Sequence, residues 1–207
     1  MKKAVLLWVA LLFLTIDTRI AGLIPYPEYI PFDTPAPETV DMIIGHLIGD
    51  SVHIDIFTDI IGYLLILYVS CKVVNENTKA FRAFGLSVLS LLLYLANLGM
   101  PFVLNGEARY TTGFFLYIAY TLLKTFTAVQ CGFILCDMSE CIENHAWINV
   151  VAIFIMLAFI SGFIRSMSLF YNLPRLTVTY YTVQAFFTLL YSVMLWLRRS
   201  YFREGKS

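Results

Sequence analysis

Six long apolar runs dominate the chain. A membrane-spanning helix needs about 20 mostly apolar residues, and each run comes close to that length. The runs are continuous, whereas the strands of a membrane barrel would alternate apolar and polar residues. The pattern therefore predicts an all-α, polytopic membrane bundle of about six transmembrane helices, forming a single integral membrane domain over residues 1–207. The predicted spans are Ala4–Leu23, Phe57–Val74, Ala83–Leu104, Gly113–Cys136, Trp147–Phe170 and Leu176–Leu197.

The connection between the first two spans, residues 24–56, differs from the rest of the chain. It contains five of the seven prolines, and no Lys or Arg occurs between Glu28 and Asp59. Proline fixes φ and removes a hydrogen-bond donor, so we expect an extended external loop that is rich in proline and acidic residues.

The same loop holds His46, Asp50 and His53, spaced i, i+4 and i+7. On a helix these side chains share one face, and imidazole nitrogen with carboxylate oxygen suits zinc or a similar divalent metal. A divalent metal is the one cofactor that the sequence suggests. The alternative is a hydrated loop with two ordinary histidines.

Charge supports the membrane assignment and orients it. Charged residues make up 14% of the chain and hydrophobic residues 59%, against roughly 25% charged in soluble domains. In a six-span topology nine basic residues fall on one side and only Arg19, Arg109 and Arg175 on the other. The positive-inside rule then predicts that both termini lie in the cytoplasm. The expected location is a bacterial cytoplasmic (plasma) membrane, which the chain crosses several times. No basic aromatic patch indicates a nucleic-acid partner, so membrane lipids and a small-molecule solute are the expected ligands, with protein partners undefined.

Polar side chains recur every three or four residues in the last four spans, as on one face of a helix. Such stripes predict an inward-facing polar surface, although Ser, Thr, Asn and Gln also join membrane helices without any further role. The stripe residues predicted to bind substrate are Asn97, Thr121, Lys124, Arg165 and Gln184.

Lys124 is the strongest single signal. It lies near the centre of its predicted span, roughly 18 Å of helix from either end, so its ammonium must be paired, hydrated or neutral. Asp17 and Asp59 are the candidate charge partners. A cationic site for an anionic solute or lipid headgroup and a structural Lys–Asp pair remain equally open.

The segment from Asp55 to Tyr63, Asp-Ile-Phe-Thr-Asp-Ile-Ile-Gly-Tyr, runs into the apolar residues Leu64–Leu67. It resembles a segment of uncharacterised multi-pass membrane proteins of Gram-positive bacteria, in which a proline stands at the position of Thr58. The resemblance covers about 13 residues and carries no activity. It implies only that Asp55, Asp59 and Gly62 mark the entry to a membrane helix.

No motif in the chain specifies a reaction: it has no glycine-rich phosphate loop, nucleophile elbow or His-Glu-x-x-His. We therefore expect a transporter-like or permease-like protein for a small or anionic solute rather than an enzyme. The alternative is a non-enzymatic accessory or assembly protein of the membrane. A third hypothesis is a membrane enzyme that uses the external His/Asp group as its metal site.

Overall fold

The computed structural model describes residues 2–15, 19–25, 51–55, 59–75, 77–104, 106–139, 146–170 and 173–197. Within these ranges the fold is a bundle of six α-helices with a two-stranded ribbon between the first two. The helices are α1 (Lys2–Thr15), α2 (Asp59–Val73), α3 (Thr78–Gly99), α4 (Gly106–Ser139), α5 (Ala146–Phe170) and α6 (Pro174–Leu197), and the strands are β1 (Arg19–Pro25) and β2 (Ser51–Asp55).

Consecutive helices pack against each other along the whole bundle, as the short connections from α2 onward require. In addition, α1 contacts α4 and α5, so the first helix closes against the middle of the bundle. One continuous apolar core results, with contributions from all six helices.

The α1–α2 hairpin is packed closely because of Gly62. A Cβ atom at this position would lie 2.9 Å from Leu14 Cδ2 and 3.0 Å from the carbonyl oxygen of Ala10. The absent side chain lets the two backbones approach, as small residues do between membrane helices. Gly62 thus marks a helix–helix contact close to the start of α2.

The first predicted span, Ala4–Leu23, was too long. Helix α1 ends at Thr15, and Arg19–Pro25 instead forms strand β1, which pairs antiparallel with β2 so that Arg19 lies opposite Asp55 and Ile24 opposite Val52. The run is apolar enough to pass for a continuing helix, but β-branched residues such as Ile20, Ile24, Val52 and Ile54 favour a paired strand. The ribbon also overlaps both ends of the external loop predicted over residues 24–56.

The other helices begin and end within seven residues of their predicted limits, and local chemistry explains several of the differences. Helix α3 starts five residues before the predicted Ala83 because Asn77 caps it: its Oδ1 accepts a hydrogen bond from the Lys79 backbone N–H at 2.8 Å. Pro101, which lacks an N–H, lies in the 3-10 turn Met100–Phe102 that follows α3. Pro174 opens α6, a position where its fixed φ is favourable.

Three of the described helical segments are long and apolar enough to cross a bilayer: Thr78–Gly99, Thr111–Met138 and Asn149–Ser168. Lys3–Thr15 is a shorter apolar helix. Helix α6 is long but has many polar residues in its first half, among them Thr177, Thr179, Thr182 and Gln184. The structure thus supports a membrane-associated helical protein with three such segments.

A buried lysine–aspartate–tyrosine cluster

Lys124 and Asp59 form an ion pair inside the bundle, which we call the central pair. Lys124 Nζ lies 2.8 Å from Asp59 Oδ2 and 3.0 Å from Asp59 Oδ1. The Lys124 side chain is 19% exposed and that of Asp59 is 8% exposed. Both carboxylate oxygens are thus engaged by one ammonium group, with little contact with solvent.

Tyr120, one helical turn before Lys124, completes the site. Its hydroxyl donates a hydrogen bond to Asp59 Oδ2, and its ring centre lies 5.7 Å from Lys124 Nζ. Asp59 is also the first residue of α2, where the helix dipole favours a negative charge. Hydrogen bonds, an opposite charge and a helix N-terminus together offset the cost of burying the carboxylate.

Two more tyrosines enclose the cluster. The Tyr94 ring lies 5.6 Å from that of Tyr120, and the Tyr63 ring lies 6.5 Å from it in an edge-to-face arrangement. Such contacts stabilise aromatic pairs beyond their buried area. Three helices, α2, α3 and α4, therefore each contribute an aromatic wall to the same polar centre.

The central pair lies about half way along α4. Helices α1 and α2 are only 14 and 15 residues long, about 21 and 22 Å, whereas α4 has 34 residues, about 51 Å. Thr15 at the end of α1 accepts a hydrogen bond from Tyr191 of α6 at 3.2 Å. The two short helices therefore extend along only one half of the bundle, and Asp59 stands where α2 begins in its interior.

A second ion pair marks the opposite end of the short helices; we call it the end pair. Lys79 Nζ lies 2.7 Å from Asp137 Oδ1, and Asn77 Nδ2 donates to Asp137 Oδ2 at 2.6 Å. At the end of α2, a few residues before Asn77, the Lys72 carbonyl accepts a hydrogen bond from Lys3 Nζ at 3.2 Å. This region, with Lys3, Lys72 and Lys79, is called the lysine end below.

The structure brings only part of the predicted substrate site together. Thr121 is buried beside Lys124 on α4, and its hydroxyl donates to the Tyr117 carbonyl at 2.9 Å. Arg165 and Gln184 lie instead at the α5–α6 interface: the Arg165 guanidinium is 5.6 Å from the Tyr181 ring centre, and Gln184 packs against Gly162. Within the described residues the Asn97 Oδ1 atom is buried without a hydrogen-bond partner.

The remaining predicted residues fall in the connection after α1. Asp17, His46 and Asp50 lie outside the described residues. His53 belongs to strand β2, so a continuous helix from His46 to His53, on which the proposed metal spacing depended, does not form. In the part of the chain that the structure describes, no three His, Cys, Asp or Glu side chains cluster in a way that could hold a metal ion.

Sequence reasoning missed two features of the site. Tyr120 was not among the residues predicted for the site, although it stands four residues before Lys124 and so on the same helical face. The end pair was missed because Asp137 lies 58 residues from Lys79. The predicted topology contains a hint of this pair, because it places both residues on the same side of the membrane.

Comparisons with protein-family models, curated proteins and solved structures found no match to this chain.

Proposed function

We propose that the chain is a transporter-like protein for a small anionic solute, embedded in a bacterial cytoplasmic membrane with all six helices. The lysine end would face the cytoplasm together with both termini, as the positive-inside rule requires. The observation that carries the proposal is the central pair: a lysine and an aspartate that meet in the interior, where a short helix begins.

Short membrane helices that start inside the bundle support this function. In many transporters the solute and coupling-ion sites lie near the middle of the membrane, where interrupted helices present their N-termini. Helix α2 has this character, because Asp59 at its start pairs with a residue half way along α4. Charged side chains at such depth are costly and in general serve a function.

The central pair suggests how an anion would bind. Lys124 offers an ammonium with three donors, and the two contacts to Asp59 hold it in place. An anionic solute would take the place of the Asp59 carboxylate on Lys124, and the buried Thr121 lies three residues before Lys124, on the same face of α4. Release of the solute would restore the internal pair, so that neither state leaves the lysine uncompensated.

Uptake into proteoliposomes tests this function. Purified protein would be reconstituted and given radiolabelled acetate, succinate, glutamate or phosphate. We expect at least one of these anions to accumulate above the level in protein-free liposomes. The variant with both Asp59→Asn and Lys124→Met, which removes both charges at once, should lose this uptake, whereas Lys79→Met at the end pair should retain it.

The accessory or assembly function remains the second candidate, and two observations favour it. Lys124 already has a close carboxylate partner, so a purely structural ion pair would account for its burial. Helix α3 also exposes Leu89, Leu92, Leu95 and Leu98, a surface that a partner helix could cover. Absence of uptake for every anion tested, together with full retention of fold in the uncharged double variant, would support this candidate over the transporter.

A further inference from the structure

Three hydroxyl groups on α2 and α3 are buried without any hydrogen-bond partner among the described residues. They are Tyr63 OH, Ser70 Oγ and Ser87 Oγ. Tyr63 and Ser87 are 0% exposed and Ser70 is 1% exposed. Buried polar groups are nearly always satisfied, because an unpaired hydroxyl in an apolar interior costs free energy.

These hydroxyls lie in a row that starts at the central pair. The Tyr63 hydroxyl faces those of Tyr120 and Ser90, yet neither gives it a bond of acceptable geometry. Ser90 in turn shares a hydrogen bond of 3.2 Å with Thr127, one turn of α4 beyond Lys124. The first members of the row thus contact the Asp59–Tyr120–Lys124 cluster.

The row continues toward the lysine end. Ser87 is three residues before Ser90 on the same buried face of α3, and Ser70 is seven residues after Tyr63 on the same buried face of α2. At 1.5 Å of rise per residue along each helix, Tyr63 lies about 6 Å and Ser70 about 16 Å from Asp59, while Thr127, the partner of Ser90, lies about 5 Å from Lys124 and Ser87 about 5 Å further along. Asp137 of the end pair lies about 20 Å away on the same scale.

Unpaired buried hydroxyls at such intervals are the groups that internal waters satisfy. A buried water typically makes about three hydrogen bonds, to groups that otherwise have no partner. We infer that Tyr63, Ser70 and Ser87 hold a row of internal waters that connects Asp59 with the lysine end, and that protons pass along this row. The inference rests on the proposed function and deepens it, since it makes the proton the coupling ion.

The proton step balances without any oxidant or further reactant. A proton from the row binds to the Asp59 carboxylate, and each water in the row passes one proton on as it accepts another. Neutral Asp59 releases the Lys124 ammonium, whose charge an anionic solute then neutralises. The groups that face this step are Lys124 and Tyr120 from α4, Tyr63 from α2, Tyr94 from α3 and Cys131 from α4. One proton and one monovalent anion therefore leave the net charge of the site unchanged.

Radiolytic hydroxyl labelling with mass spectrometry tests for the waters, because buried side chains are modified where ordered water lies beside them. The full chain in lipid nanodiscs would be used. Tyr191 is the matched control: it is 0% exposed like Tyr63, but its hydroxyl donates to Thr15. We expect Tyr63 to be modified at least fivefold faster than Tyr191, and the variant Ser70→Ala/Ser87→Ala to lose most of that difference.

A dry interior gives the opposite result. Tyr63 would then be modified as slowly as Tyr191, and the serine variant would leave its rate unchanged. Either finding overturns the inference, whether or not a solute has been found.

Proton movement is measured separately, without any solute. Proteoliposomes would contain the pH-sensitive dye pyranine, with a potassium diffusion potential set by valinomycin. We expect proton entry above that of the Asp59→Asn/Lys124→Met variant, and slower entry for Ser70→Ala/Ser87→Ala. Equal rates for all three proteins would overturn the proton route. Because no transported anion is needed, failure of the uptake experiment alone would overturn the transporter function and leave these two measurements intact.

Discussion

The two lysine–aspartate pairs of α4 use the same chemistry in different surroundings. In the end pair, Lys79 is 40% exposed and Asp137 is 28% exposed, whereas in the central pair the corresponding values are 19% for Lys124 and 8% for Asp59. The end pair joins the start of α3 to the last turns of α4 near a helix cap. The central pair has a tyrosine hydroxyl as a further partner and three surrounding rings.

The difference in burial distinguishes an ion pair that only joins two helices from one to which a solute could bind. A partly exposed ion pair contributes little to the free energy of unfolding, because water and salt screen its charges. A buried pair gains little net free energy as a whole, but removal of one partner leaves a bare charge in the interior. The cost of breaking each pair is therefore the direct way to compare them.

Loss of the central lysine should have the largest effect. Lys124→Met removes the ammonium that neutralises the buried Asp59 carboxylate, and such an uncompensated charge costs about 3–5 kcal/mol. The free energy of unfolding, measured by SDS titration in mixed micelles, should fall by that amount. Addition of Asp59→Asn removes the charge and should recover most of the loss; a double variant no more stable than the single one would contradict this.

Tyr120→Phe should have the next largest effect. It removes the hydroxyl that donates to Asp59 Oδ2 and keeps the ring that packs on Lys124 and Tyr94. A hydrogen bond to a charged group contributes about 1.5–3 kcal/mol, and the same unfolding experiment should show a loss in this range. Tyr117→Phe, which removes a bond to the neutral Ser166 hydroxyl, is the control and should cost less.

Asn77→Ala tests the cap at the end pair. The Asn77 side chain accepts a bond from the Lys79 backbone N–H and donates to Asp137. Loss of an N-cap costs about 1 kcal/mol, so stability should fall by about that amount. Asn77→Asp keeps the cap but places a second carboxylate beside Asp137, so it should retain less stability at low salt than at high salt.

Lys79→Met should have the smallest effect. The pair with Asp137 is partly exposed, and such pairs contribute less than about 1 kcal/mol. The wild-type protein should also lose part of this contribution as salt rises from about 0.01 to about 1 M, since the Debye length shortens from about 30 to about 3 Å. A loss as large as that of Lys124→Met would remove the distinction between the two pairs.

The sequence was informative where the physical signal is local. The apolar runs predicted the helices α2 to α6 with errors of up to seven residues at their ends, because length and continuity suffice to identify a helix in such a chain. Lys124 could be singled out in the same way, since a charge within a long apolar run needs a partner. Asp59 and Asp17 are the two acids that lie within the predicted spans, so both were candidates for that partner.

Features that depend on contacts between residues far apart in the chain could not be predicted from the sequence. Strand β1 continues an apolar run, and only its pairing with β2, across 25 intervening residues, makes it a strand. The contact of Tyr120 with Asp59 spans 61 residues. Arg165 and Gln184 share the stripe pattern of Lys124 but turn toward the α5–α6 interface, because spacing along one helix does not determine which neighbour its polar face meets.

Water access to the central pair tests the account most directly. In a variant without the four native cysteines, a single cysteine would replace either the buried Thr121 or its exposed neighbour Leu122, and an anionic methanethiosulfonate reagent would be applied to intact membranes. A hydrated site predicts that Thr121→Cys reacts at least tenfold faster than Leu122→Cys, which would face lipid, and that the anionic reagent reacts faster than a cationic one because of Lys124. Failure of Thr121→Cys to react at all would mean that the pair is dry and structural, and would contradict the proposal that a solute reaches it.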